Sequence, residues 1–347
     1  MPRIGFFGAM NCDVVYGTSD PADLLARLGI AAPLLLETAI DDASAARGMS
    51  ALEAAGAQVF LGGSAFNAAR VAGLLNAGRP LAELEFFGLA GSAGSAAPHL
   101  DQLKRLGFGT ADIALSPRPP ATCLALVEPH GRTLLTAAGA NVEIGDLLRE
   151  RGEALAAGFA RCNLVHLTSF LDPDVPDLLA RILALARDRN PDLVVSLDPG
   201  VLWARPELPS IRALLAQCQL LHANAEELAI LCADGGIEGL GKLLAPPGWT
   251  VVARSHEGAT LYYGTESGVL AEAVPLADRY AVIEVVDAVG AGDTFTGALL
   301  WAWRGRGDIM AEAAQLGFAA ARAKIGLLGP ITAAALAGVV EQNQASR

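Results

Sequence analysis

The sequence predicts an α/β fold, a doubly wound, mostly parallel sheet with a small β-rich lid. Three observations lead there. Short apolar runs of strand length alternate with longer helical patterns through the second half, the signature of βαβ units. The first half breaks that alternation with a hairpin and two isolated helical stretches. The turns that carry polar and glycine residues follow strand-like runs, which is where ligands gather in open parallel sheets.

Taken in order, residues 3–8 form the first strand. Pro21–Leu28 and Asp41–Ala54 are helical stretches within 17–60. Residues 120–137 read as a hairpin, with strands Thr122–Val127 and Arg132–Ala137 around the turn Glu128-Pro-His-Gly131. The lid is expected from parts of 13–60 and 110–140. Further strands are expected at Leu164–Leu167, Leu193–Leu197, Leu220–His222 and Thr250–Ala253, with a last one ending in Ile283-Glu-Val-Val286. Helices are expected at Pro176–Arg187, Ile211–Cys218, Glu226–Cys232 and Met310–Lys324. Pro176 suits a helix start, where a missing N–H leaves no bond unmade. With no repeat or long linker, the chain is expected to form one domain over 1–347.

Composition narrows the function. In 347 residues, 52% are hydrophobic and 18% charged, so a sizeable core is expected. The mean hydropathy of +0.39 raises the question of a membrane, yet no uncharged stretch reaches the ~18 residues a spanning helix needs. The N-terminus has no signal-peptide layout, and a cytoplasmic location is expected. A net charge of −12 argues against nucleic-acid or anionic-membrane partners. It leaves room for a phosphorylated ligand held by a local positive field. The five cysteines show no redox or metal spacing and are expected as free thiols. The five histidines lack metal spacing too, and Trp301 and Trp303 read as packing.

The most informative segment is Asp287-Ala-Val-Gly-Ala-Gly-Asp-Thr-Phe-Thr-Gly297. Gly290, Ala291 and Gly292 open a helix with free N–H groups, and unpaired donors at the positive end of a helix dipole bind anions. Asp293 lies in the first turn beside that anion site. An acid there is electrostatically awkward unless it has a chemical task, such as taking the proton of a hydroxyl that attacks a phosphate. A plain N-capped helix also accounts for Asp and Gly at these positions. The segment is neither a Walker loop, lacking Gly-Lys-Ser/Thr, nor a dinucleotide fingerprint, since Phe295 stands where the third Gly belongs.

Three further motifs accompany it. Asn11-Cys-Asp13 follows the first strand, and a carboxylate there can accept from two neighbouring hydroxyls, as in the grip on a vicinal diol. A simple turn is the alternative. Leu61-Gly-Gly-Ser-Ala-Phe-Asn67 lets backbone approach a ligand at Gly62 and Gly63 and puts an amide one helical turn on. Asn224-Ala-Glu-Glu227 has the spacing of a capping box.

Together these motifs resemble the ribokinase family, the PfkB-type carbohydrate kinases, over about residues 3–330 and in the family's order. The resemblance implies a ribokinase-like fold and ATP-dependent phosphorylation of an alcohol on a sugar or sugar derivative. It makes Asp293 the catalytic base and Gly290, Ala291 and Gly292 the hole for the transferred group. It gives Asn11, Asp13, Gly62, Gly63 and Asn67 to the acceptor. Asn224 and Glu227 would order Mg²⁺ and water around the ATP phosphates. Ser255 and Gly258, in a strand-turn that departs from the family by having Ser255 in place of Gly, would contact the nucleotide. A monovalent cation such as K⁺ is implied near Asp287. An Asp at its ordinary pKa of ~3.9 is a weak base, so proton transfer is expected late in the reaction.

A free sugar is the first reading of the acceptor and a nucleoside the alternative. The long segment between Asp13 and Gly62 resembles adenosine-kinase-like members with larger lids, and Phe170 is a candidate to stack on a base, although a core Phe is the commoner meaning of such a residue. A catalytically silent sugar-binding protein and a dinucleotide-dependent oxidoreductase are the readings from other classes. Asp13 with Asp293 weighs against the first, and the missing third Gly against the second. A monomer or homodimer is expected.

Overall fold

In β1 (Arg3–Phe7), Ile4, Phe6 and Phe7 are all buried. A strand apolar on both faces fits the middle of a covered sheet. It pairs in parallel with β5 (Glu83–Gly91) on one side and β9 (Leu164–Thr168) on the other. Beyond β9 lie β10 (Val194–Asp198), β11 (Leu220–Asn224) and β12 (Thr250–Arg254), all parallel, then antiparallel β13 (Gly258–Thr265) and β14 (Gly268–Pro275). The strand β6 (Ile113–Ser116) closes the opposite edge, giving nine strands in the order β14-β13-β12-β11-β10-β9-β1-β5-β6. The computed structural model describes residues 1–92, 96–128, 131–205, 210–233, 235–246, 248–275, 284–305 and 309–344.

Because side chains alternate along a strand, neighbours in sequence feed different cores. Phe6 and Phe86 pack with the helices Ser64–Gly78, Ala291–Trp303 and Met310–Ile325 on one face. Phe7 and Phe87 pack with Ile144–Ala160 and Val175–Arg189 on the other. The doubly wound α/β architecture expected from the sequence is therefore present.

The second sheet has five strands, in the order β3 (Glu37–Ala39), β8 (Gly131–Ala137), β7 (Ala121–Glu128), β2 (Asn11–Gly17) and β4 (Gln58–Gly62). Val14, Leu124 and Leu135 on one face pack with Leu24 and Leu52 from the helices Pro21–Leu28 and Asp42–Ala54. The chain passes from β1 to β2 through Gly8, Ala9 and Met10 alone, and returns from β4 at Gly62 directly into the Ser64–Gly78 helix. Asn11, Asp13, Gly62 and Gly63 thus sit where the two sheets meet. Alternation along β2 turns Asp13 away from the face that buries Val14.

One detail differs from the sequence reading, at the segment before the Gly290 turn. Glu284–Val286 is not a strand: Val285 and Val286 are exposed, and Ile283 lies outside the described residues. Among the described residues no strand pairs with this segment; the N–H groups of Val286 and Asp287 both donate to the Ile325 carbonyl. The β7–β8 hairpin is present, with Pro129 and His130 of its turn outside the described residues. Cys12, Cys123, Cys162, Cys218 and Cys232 are all free.

Candidate active site

The Ala291–Trp303 helix carries the site because of where it packs. At Gly297 a Cβ would collide with the Ala68 carbonyl, so glycine lets this helix lie against the Ser64–Gly78 helix backbone to backbone. One turn earlier on the same face, Asn67 Nδ2 donates to Asp293 Oδ2 at 3.0 Å. Gly290 caps the helix in the left-handed region, φ 73°, and Ala291 N–H is spent on the Ala288 carbonyl at 3.2 Å. The N–H groups of Gly290, Gly292 and Asp293 find no acceptor among the described residues. Among the described residues the unpaired N–H groups of this turn are therefore those three rather than the Gly290–Gly292 set.

Two cavities flank this turn. One lies against the second sheet and is lined by Asp13, Asn67, Arg70, Gly290 and Thr294, with an apolar wall that includes Phe60 and Ile331. The other lies on the far side, where Arg254, Ser255, Ala291 and Gly292 stand over Phe295 and Phe318. The turn with its free donors and Asp293 is the partition between them.

Glycine shapes the first cavity. A Cβ at Gly62 would collide with the Asp13 carboxylate, and Gly63 has φ 102°, with a Cβ there meeting the Ala9 carbonyl. Arg70 reaches in from the same helix as Asn67. It donates to the Leu61 carbonyl and, at 3.4 Å, to Asn67 Oδ1, and its guanidinium lies over the Phe66 ring. Asn67 is thus held from both sides, by Arg70 on its oxygen and Asp293 on its nitrogen. Asn11 turns elsewhere: its side-chain oxygen accepts from Asn141 and its carbonyl lies 2.8 Å from His99 Nε2. Phe170 is 5% exposed, packed on Phe7 at 5.5 Å between ring centres, and lines neither cavity. It belongs to the core on the other face of the sheet, so base stacking is not a task open to it there.

On the second cavity's rim, Arg254 is the organising cation. It donates to Asp198 Oδ2 at 2.9 Å, to the Gly292 carbonyl at 3.2 Å and to Thr296 Oγ1 at 3.1 Å, and lies 3.9 Å from Glu227 Oε2. Asn224 and Glu227 form the reciprocal capping box their spacing suggested, each bond 2.9 Å long. Ser255 lines the cavity, whereas Gly258 is buried and serves the turn by accepting from Ser255 N–H and Oγ.

Burial pushes the Asp293 carboxyl up to about 7; the Asn67 hydrogen bond opposes this and Asp198 adds to it. Burial raises Asp13 to about 6 against the pull of Arg70. Burial lowers the Arg70 guanidinium to about 10. Glu227 is raised by burial and then by Asp198. Asp293 is thus a stronger base than an ordinary aspartate, which revises the expectation of a weak one.

Arg70, Arg254 and Asp198 carry much of this geometry and were not singled out from sequence as site residues. Asp198 ends β10 and Arg254 ends β12. Polar residues at the C-terminal ends of parallel strands were the available signal.

A family model for pfkB family carbohydrate kinases matches residues 35–335. The chain belongs to that family. No curated protein sequence matches it. Among solved structures, an adenosine kinase from Sinorhizobium meliloti is 20% identical, with 98% of this chain and 99% of that one covered and a TM-score of 0.73. Ribokinase from Giardia lamblia is 19% identical, covering 99% and 100%, TM-score 0.73. A probable sugar kinase from Rhizobium etli CFN 42 is 21% identical, covering 99% and 98%, also at 0.73. These likenesses show the shared fold.

Proposed function

We propose that this protein transfers the γ-phosphoryl group of ATP to an alcohol of a sugar or sugar derivative. The observation that carries the reading is the Asn67–Asp293 pair on a turn of free N–H groups that separates two cavities. An acceptor in one cavity and a phosphate donor in the other meet at that turn. Asp293 takes the hydroxyl proton as the oxygen attacks, while Asn67 fixes the carboxylate that receives it. The new O–P bond forms as the bond to the ADP leaving group breaks. The N–H groups of Gly290, Gly292 and Asp293 stabilise charge on the group in transit. Asp13 accepts hydrogen bonds from adjacent hydroxyls and orients the acceptor.

Two carboxylates, Asp198 and Glu227, stand beside one guanidinium, and the first raises the pKa of the second. That pair fits a hydrated Mg²⁺, which needs few protein ligands. Bound there with ATP, Mg²⁺ would neutralise phosphate charge. Glu227 would hold a metal-bound water, and Arg254 keeps Asp198 in place.

A free sugar satisfies Asp13, Gly63 and Asn67. The apolar wall with Phe60 favours a second reading, a nucleoside whose base lies against that ring. An ADP-release assay with Mg-ATP over a panel of sugars and nucleosides tests the proposal. We expect release that depends on one acceptor class and is abolished in Asp293→Asn. Oxidation or reduction of a nicotinamide cofactor, with no ADP formed, would replace the reading by the oxidoreductase one.

A further inference from the structure

Lys324 is among the residues around the first cavity and has no task in the chemistry above. It stands in the last turn of the Met310–Ile325 helix and is 2% exposed. A lysine so buried is rare unless paired. An ammonium has three donors, and three oxygens stand around this one: the Asp287 carbonyl at 2.8 Å, Asp287 Oδ2 at 2.9 Å and the Leu327 carbonyl at 3.3 Å. Asp287 is held further, with Val289 N–H on Oδ1 at 2.9 Å and Gly329 N–H on Oδ2 at 3.1 Å. The segment entering the Gly290 turn is thereby fastened to the loop that follows the helix.

A carboxylate with carbonyls from two loops is also the donor set of a monovalent cation, and the family resemblance implies K⁺ near Asp287. These residues do not fit that ion. The oxygens it would use already face an ammonium, and a second cation on Asp287 would repel the first in a poorly solvated place.

Resting on the kinase reading, we propose that Lys324 is the built-in cation of this site. Its fixed charge holds Asp287 and sets the Val289–Gly292 turn for phosphate, so catalysis here requires no monovalent ion. Lys324 acts through Asp287 and the turn, which makes it a positioning residue. Without its charge the Asp287 carboxylate would face the arriving phosphates unbalanced.

The test compares wild type, Lys324→Met and Lys324→Ala in KCl, NaCl and tetramethylammonium chloride at equal ionic strength. Thermal melting and acceptor-dependent ADP release are both read. Wild type should show the same melting temperature and, within about twofold, the same rate in all three salts, since no ion binds the native state specifically. Lys324→Met keeps the stem and removes the charge; KM for ATP should rise about tenfold or more while KM for the acceptor holds, the worth of a charged hydrogen-bonding group. Lys324→Ala opens the space and should gain melting temperature in KCl over tetramethylammonium chloride. Packing loss alone would lower the melting temperature and leave the KM values untouched. The proposal is overturned by a wild-type protein that melts higher or turns over several-fold faster in KCl. It is equally overturned by a folded Lys324→Met with wild-type KM for ATP. If neither variant folds, the wild-type salt series decides. If no acceptor is phosphorylated in any salt, the kinase reading fails, and the melting series still decides whether a monovalent ion binds.

Discussion

Replacing Asp293 by Asn removes one charge and leaves the surrounding bonds intact, because the new amide oxygen can still accept from Asn67 Nδ2, now at 3.0 Å from the carboxylate. Two effects of opposite sign should follow. Loss of a positioned base should lower kcat by roughly 10²–10⁴. Stability should rise. The wild-type carboxyl goes from 3.8 in a free chain to about 7 in the folded one. A group raised on folding favours the native state below its unfolded pKa, and that contribution is lost as pH rises through the folded one. Three units would be about 4 kcal/mol; the carboxyl keeps some solvent contact, so roughly half, ~2 kcal/mol, is the better figure. Asp293→Asn should therefore melt ~2–5 °C above wild type at pH 8 and level with it near pH 4. The assay is a pair of melting series from pH 4 to 8 (about the range the two pKa values span), beside ADP-release rates. A melting difference that does not change with pH would refute the raised carboxyl. A variant keeping more than about half the wild-type rate would remove Asp293 as the base.

Other predictions follow from the same geometry. The wild-type kcat/KM should fall as pH drops through about 7, following Asp293; a rate flat down to pH 5 (about two units below that value) contradicts it. Arg254→Met strips Asp198 and the Gly292 carbonyl of their donor and should raise KM for ATP by ~1.5–3 kcal/mol with the acceptor KM unchanged; equal rises in both would place Arg254 outside the donor site. Glu227→Gln keeps the cap, since a side-chain amide oxygen still accepts from Asn224 N–H, so a raised Mg²⁺ requirement would report charge alone and an unchanged one would leave the motif a helix cap. Phe60→Ala should cost a nucleoside acceptor ~1–3 kcal/mol in KM by analogy with aromatic stacking on bases and leave a free sugar untouched. Phe170→Ala should cost ~3–5 kcal/mol of stability as a core truncation with KM per folded molecule unchanged.

The parallel sheet was legible because burial on both faces writes near-continuous apolar runs such as Val194–Leu197, broken only by the buried Ser196. Glu284–Val286 shows the limit: β-branched residues give strand propensity, but pairing needs a neighbour, and among the described residues the only backbone partner here is Ile325. At the site, motifs with local spacing were visible, such as the Asn224–Glu227 box and the Gly290–Asp293 turn. The cations that organise them were not, because their partners are distant in sequence: Arg254 with Asp198, Lys324 with Asp287. Phe170 stayed open between stacking and core packing for a related reason. A strand end offers two faces, and its chemistry does not say which one the ring takes; here it packs on Phe7.

The central claim is that a hydroxyl, deprotonated by Asp293, receives phosphate across the Gly290–Gly292 turn. Its most direct test is product identification by ³¹P NMR and mass spectrometry after incubation with Mg-ATP and the best acceptor of the panel. The account predicts one phosphate monoester on an acceptor alcohol, formed together with ADP, and none from Asp293→Asn at matched times. ATP bound by a folded wild-type protein, with no phosphorylated product from any sugar or nucleoside, would contradict it.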